Sequence, residues 1–259
     1  MTKVLEIKSF EEVRRIRDSA WEENSSNWSK SRNLPSRLKD NLYRYVKQNL
    51  DLLDGLLVDL GCGNAWLFDF LNKEKEIKVQ YLGVDINNIF INRNNEKFKE
   101  ESSVNFIKVD LELENGLNVN FLKKSKLFIG CLSFIEIVDL ERAFFNVSKN
   151  MSVKDLLMII VLDPSFEIFR MSEDINALES NTLNFFNYEK SYYKKEIIID
   201  NKINFKSEYV GILHKMEDYI LSATQSGLTL SSIESINCYN VKEKKGTIYR
   251  VLKFQKNAR

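Results

Sequence analysis

Histidine is all but missing from this chain of 259 residues, which has one, His214. Metal centres built from several imidazoles are excluded on that ground. Cysteine is scarce as well. Cys62, Cys131 and Cys238 lie far apart and form neither a disulfide framework nor a zinc-ligand spacing, so a reduced, cytoplasmic setting is expected. The two prolines, Pro35 and Pro164, mark no linker, and no Pro/Gly/Ser-rich tract or internal repeat divides the sequence. An excess of charge of either sign is also lacking, because 38 Lys+Arg oppose 37 Asp+Glu and leave +1. That balance argues against a protein that holds nucleic acid by neutralising phosphates over a whole face. No apolar run approaches the roughly 18 residues a membrane span needs, and the charged N-terminus does not resemble a signal peptide. What is present is an ordinary apolar share, 44%, enough to bury a sizeable core and exclude general disorder.

The middle of the chain alternates two kinds of segment. Leu56 to Leu60, Val79 to Val84, Val104 to Val109, Leu127 to Cys131 and Leu156 to Leu162 are short apolar runs without strict alternation. Parallel strands covered on both faces have that appearance. Between them lie helical spacings, such as Leu140, Ala143, Phe144 and Val147. The pattern predicts an α/β fold, a Rossmann-like, mostly parallel sheet of seven strands with helices on both faces. Around it, residues 1–52 are expected to form a helical lid, with Phe10, Val13 and Ile16 on one face and Trp28 in a polar loop. A second helix is expected near Leu38 to Gln48. Residues 53–163 form the core of this single domain, and 164–210 a Phe/Tyr-rich inserted helix and hairpin turning at Asp200-Asn201-Lys202. Residues 211–259 supply a helix from Met216 to Ser226 stopped by Gly227, then strands near Ser232 to Tyr239 and Thr247 to Phe254 with Lys245-Gly246 between them.

The most informative string is LLVDLGCGNAWL, Leu56 to Leu67. A strand runs into Asp59, and a tight turn (Gly61, Cys62, Gly63) opens a helix. Glycines let a ligand approach the backbone, and a helix start offers unpaired N–H groups. A dinucleotide loop would need a third glycine where Trp66 stands, and Asp59 would repel a pyrophosphate. An acid at that place suits a nucleoside that carries a positive amino group.

The string resembles the first motif of the class I S-adenosylmethionine-dependent methyltransferases, and the likeness continues in order over Leu56 to Ser165. YLGVDI places Asp85, with Ile86 beside it, at the second strand's end, where the resemblance implies contact with the cofactor ribose. FIKVDLE places Asp110 and Leu111 where the family grips adenine. KLFIGCLSFIEIVDLERAFFNVSKNM and LLMIIVLDPS resemble the fourth and fifth strands, with Cys131 beside the cofactor and Trp28 in the covering lid. The implied cofactor is S-adenosyl-L-methionine. Three departures stand out: Ala65 replaces the family's third glycine, Ser133-Phe134-Ile135-Glu136 lacks a frequent histidine, and Asp163-Pro164 stands where small-molecule members often carry His-Pro.

The resemblance therefore implies methyl transfer to an O, N or C nucleophile of a small-molecule acceptor by direct in-line displacement. His214, Glu136 and Asp163 are the candidate proton acceptors, and no metal site is expected. A tRNA or protein methyltransferase is disfavoured by neutral charge and by the absence of an Asn-Pro-Pro-Tyr string. A non-catalytic subunit that keeps the fold is the alternative from outside the enzymes. No nucleic-acid or membrane partner is expected, and a homodimer is left open.

Overall fold

A computed structural model describes residues 3–4, 10–30, 36–50, 55–73, 80–114, 116–117, 125–165, 191–197, 207–240 and 245–258. Its main sheet has seven strands. These are β2 (Gly55–Leu60), β3 (Gln80–Asp85), β4 (Val104–Lys108), β5 (Ser125–Cys131), β6 (Leu156–Leu162), β9 (Leu228–Asn240) and β10 (Lys245–Lys256), in the order β4-β3-β2-β5-β6-β10-β9. The first five pair in parallel, and β10 runs antiparallel to both β6 and β9. A connection as short as 241–244 can only join antiparallel neighbours, so β10 enters reversed between β6 and β9. A second sheet, β1-β7-β8, joins Lys3–Val4, Ser191–Ile197 and Ser207–Leu213.

Period-two alternation assigns the buried side chains to two layers. Val58, Leu60, Phe128, Leu157, Ile159, Leu252 and Phe254 face one way, onto α5 (Leu140–Lys149) and α6 (Met216–Gln225) through Ala143, Phe144, Tyr219 and Ala223. Leu57, Leu127, Ile129, Met158, Ile160 and Val251 face the other way. There they meet α2 (Ser36–Leu50), α3 (Trp66–Lys73) and α4 (Asn88–Lys97) through Leu42, Val46, Leu67, Phe68, Leu71 and Ile91. Burial on both faces is why these strands read as continuous apolar runs. The expected α/β class and seven-stranded, mostly parallel sheet are observed.

Several boundaries differ from expectation. Helix α1 (Phe10–Lys30) continues unbroken through the polar stretch, so Trp28 lies on a helix and not in a loop. The N-terminal region also contributes a strand, β1, against β7. β9 begins at Leu228, directly after Gly227, whose φ of 78° ends α6. Lys245 and Gly246 pair with Asn240 and Tyr239 inside the β9–β10 ladder, so they are strand residues and not turn residues. The hairpin is present as β7 and β8, but its turn residues Asp200, Asn201 and Lys202 lie outside the described residues, as does Pro35. Among the described residues no helix is long and apolar enough to cross a membrane.

Candidate active site

The loop between β2 and α3 is folded back onto the neighbouring strand. The N–H groups of Gly61 and Cys62 both donate to the carbonyl of Val84, at 2.8 and 2.9 Å. Gly61 has φ 76°, and a Cβ there would lie 2.4 Å from the Cβ of Ser133, so a neighbouring loop occupies the room this glycine leaves. Gly63 differs. Its φ is 50°, yet a Cβ would meet nothing within 4 Å, and this is where the loop faces open space. Its N–H donates to Asp85 at 2.8 Å, and its carbonyl accepts from buried Asn94 at 2.7 Å. Ala65, at φ 55°, is itself in the left-handed region that glycine adopts most readily. Burial, with Asp85 and Asp59 nearby, pushes the Cys62 thiol well above its ordinary value, so it packs the turn as a neutral thiol.

Three acids stand at the carboxyl ends of adjacent strands. Asp59 is 2% exposed and accepts from the hydroxyl of Tyr81. Burial raises its pKa to about 7, with Asp85 adding to the rise and the Tyr81 bond opposing it. Asp85 is also raised by burial, although it accepts the N–H groups of Asn87 and Gly63 at 2.8 Å each. Asp110 accepts the N–H of Glu112 at 2.8 Å and pairs with Arg14 of α1 at 2.7 Å. Ile86 is half-buried after Asp85, while Leu111 is buried in the same layer as Val109 and Leu117.

Helix α1 lies across this row. Arg14 meets Asp110, Arg17 pairs with the buried Glu112, and the Trp21 carbonyl accepts from Asn87 at 3.1 Å. The ring of Trp21 meets Phe90 edge-on at 6.4 Å. The side chain of Trp28 lies outside the described residues.

On the other flank, Cys131 ends β5 half-buried, and Leu132 follows with φ 62°. A short 3-10 turn, Phe134–Glu136, then leads to α5. The Glu136 carbonyl accepts from Arg17 at 2.8 Å. His214, between β8 and α6, is 2% exposed, and its Nε2 donates to the Ile137 carbonyl at 2.6 Å. Asp163, at the end of β6, is ion-paired with Arg250 of β10. His214 is thus anchored to the residue that follows Glu136, while Asp163 belongs to the β6–β10 junction.

No family model matches the chain, and no curated protein matches its sequence. Solved structures do match. One is a putative S-adenosylmethionine-dependent methyltransferase from Listeria monocytogenes, with TM-score 0.62 and 14% identity over 86% of this chain and all of that one. Another, from Clostridium acetobutylicum ATCC 824, is named an S-adenosylmethionine-dependent methyltransferase and has TM-score 0.54 and 17% identity over 85% and 92% of the two chains. A third is the glycopeptide N-methyltransferase MtfA in complex with S-adenosylmethionine, at TM-score 0.52 and 10% identity over 84% and 93%. The chain has the class I methyltransferase fold.

Within the class I methyltransferase fold, the site holds residues that no motif announced. Asn94 clamps the Gly63 carbonyl from α4, and Asn87 joins Asp85, the start of α4 and α1. Glu112 gathers Arg17 with the N–H groups of Val138 and Asp139. Gly116 presses on the Asp110 turn so closely that a Cβ would lie 1.8 Å from the Asp110 carbonyl oxygen. A signal existed only for the arginines. Arg14 and Arg17 follow Val13 and Ile16 at a three-residue step, which puts a cationic stripe beside the helix's apolar stripe.

Proposed function

We propose that this protein transfers the methyl group of S-adenosylmethionine to an O, N or C nucleophile of a small-molecule acceptor, by direct in-line displacement. The carrying observation is the row Asp59, Asp85 and Asp110 at three adjacent strand ends, around a loop whose Gly63 faces open space. Ligands of open α/β sheets bind outside the carboxyl ends of the strands. The cofactor would supply a methyl group already made electrophilic by its sulfonium.

The chain's own residues then bind, orient and exclude water. Gly61, Cys62 and Gly63 offer a close backbone surface, and Asp59, whose pKa lies near neutrality, would be drawn to its charged form by the cofactor's amino end. Each oxygen of Asp85 accepts one backbone N–H and retains acceptor capacity for a ribose hydroxyl. Asp110 and Leu111 serve the adenine, with Ile86 and Cys131 as flanking apolar contacts and α1, including Trp28, as the cover. Orientation of the acceptor supplies most of the acceleration, because no covalent intermediate with the protein is needed.

A proton must leave only when the acceptor carries one at the attacking atom. Glu136 and His214 are the two groups assigned to take it in this reading. Asp163 is disfavoured, since Arg250 already engages its carboxylate. The balanced charge favours an acceptor that is not a polyanion.

Titration calorimetry with S-adenosylmethionine and S-adenosylhomocysteine tests the cofactor half of this reading. Both should bind, and Asp85→Ala should weaken each by at least tenfold. Failure of the native chain to bind either compound would refute the assignment.

A further inference from the structure

Three buried side chains from three separate parts of the chain converge on the four residues Glu136–Asp139. Arg17, from α1, donates to the Glu136 carbonyl at 2.8 Å. Glu112, from the loop after β4, accepts the N–H groups of Val138 at 3.1 Å and Asp139 at 2.8 Å. His214, from the turn before α6, donates through Nε2 to the Ile137 carbonyl at 2.6 Å. None of the three is more than 5% exposed. The carbonyl of Ile137 and the N–H of Val138 are the two ends of one peptide group. Glu112 therefore holds one end of that group and His214 the other.

We propose that Glu112 is a positioning residue for His214, acting through the Ile137–Val138 peptide group. It would hold the imidazole with hydrogen on Nε2 and the basic electron pair on Nδ1, and increase the imidazole's hold on a proton. A carbonyl oxygen can only accept, so Nε2 must carry a hydrogen. A peptide N–H bonded to a carboxylate polarises its group and leaves the carbonyl oxygen a stronger acceptor. The imidazole that donates to that oxygen is stabilised in its protonated form. Carboxylates commonly orient histidine by direct contact, and here one peptide group stands between them. Arg17 supplies the nearer countercharge for the buried Glu112 carboxylate, and Arg14 lies 3.9 Å from its other oxygen.

Other charged and titratable groups lie about the imidazole, with Arg17 and Arg14 beyond it on Glu112. Tyr219 of α6 lies edge-on at 5.4 Å, Lys215 and Asp218 flank His214 along its own segment, and Glu136 stands at the far end of the gripped loop. Glu112 addresses the imidazole through its hydrogen-bonded carbonyl. The use of Nδ1 as a proton acceptor rests on the methyl-transfer reading, whereas the tautomer does not.

A chain with one histidine makes the test direct, because nitrogen NMR of histidine-labelled protein shows a single imidazole. In the native chain above the titration, Nε2 should resonate as a protonated ring nitrogen and Nδ1 as an unprotonated one. Glu112→Gln keeps an acceptor for the two backbone N–H groups and removes the charge. It should move the His214 titration to lower pH and populate the second tautomer. The double variant Arg17→Met, Glu112→Gln removes both charges together and should still populate the second tautomer if the single variant folds poorly. A protonated Nδ1 in the native chain, an unchanged titration in folded Glu112→Gln, or an unchanged tautomer in the double variant overturns the proposal. S-adenosylhomocysteine calorimetry on the same samples keeps the two readings apart: lost binding in the native chain refutes methyl transfer, and an unchanged His214 signal refutes the role of Glu112.

Discussion

Among single residues, Asp59 carries the clearest pH signature. Its folded pKa of about 7 lies well above the ordinary 3.8, chiefly through burial. A raised carboxyl pKa means the fold prefers the protonated form. The stability contributed is complete below about 3.8, declines above it, and is lost once the pH passes about 7. Asp59→Asn mimics the protonated acid and keeps an acceptor for Tyr81. Denaturant titrations should find this variant more stable than the native chain at pH 8, by roughly 4 kcal/mol at most, with the gap closing toward pH 4. Equal stability at both pH values would show that Asp59 is not buried as described. Ala65 poses a different balance. Left-handed backbone costs an alanine roughly 1–2 kcal/mol, while its fully buried methyl returns about 0.8. Ala65→Gly should therefore stay within about 1 kcal/mol of the native chain. Ala65→Val, β-branched at positive φ, should lose more than about 2 kcal/mol by thermal melting.

At the level of elements, α1 is tied to the site by contacts of unequal strength. The Arg14–Asp110 pair has side chains 25% and 13% exposed, whereas Arg17 and Glu112 are 5% and 1% exposed. Water and salt screen the first pair far more than the second. Arg14→Ala should cost about 1 kcal/mol or less, and Arg17→Ala about 3–5, because it leaves the buried Glu112 carboxylate only the longer contact with Arg14 at 3.9 Å. Equal losses in denaturant midpoints would contradict the burial difference. The start of α4 admits a finer dissection. Asn87 caps the helix by accepting from Ile89 and Phe90, and it separately donates to the Trp21 carbonyl. Asn87→Ala should cost roughly 1 kcal/mol, and Asn87→Ser, which keeps a cap acceptor, clearly less. Amide exchange within α1 should quicken in both, since both lose the Trp21 contact. The strand-and-helix alternation and the glycine turn were legible in the sequence because they depend on local patterns. The α1 contacts were not. Arg17 meets Glu112 across 95 residues of chain and Glu136 across 119, and no local pattern encodes such a pairing. The polar run Glu22 to Ser29 reads as a loop by composition, yet it is helical, and weak local propensity was overridden.

For the whole molecule, the sheet order puts both halves of the site on one edge. β2, β3 and β4 deliver the three acids to one side of the sheet's centre, while β5, with the turn after it, delivers Glu136 to the other. A ligand seated along that edge would touch the ends of several strands and, through α1, the N-terminal segment. Binding should therefore stabilise the molecule globally rather than one element. At a hundredfold excess over its dissociation constant, S-adenosylhomocysteine should add about 2.7 kcal/mol. For a chain of this size that corresponds to a rise in melting temperature of roughly 5–10 °C. Asp85→Ala should melt cooperatively on its own and show little of that rise. NADH should leave the native chain unmoved, since Trp66 and Asp59 oppose a dinucleotide at the same turn. A shift with NADH and none with S-adenosylhomocysteine would reassign the loop to a dinucleotide, with the fold unchanged.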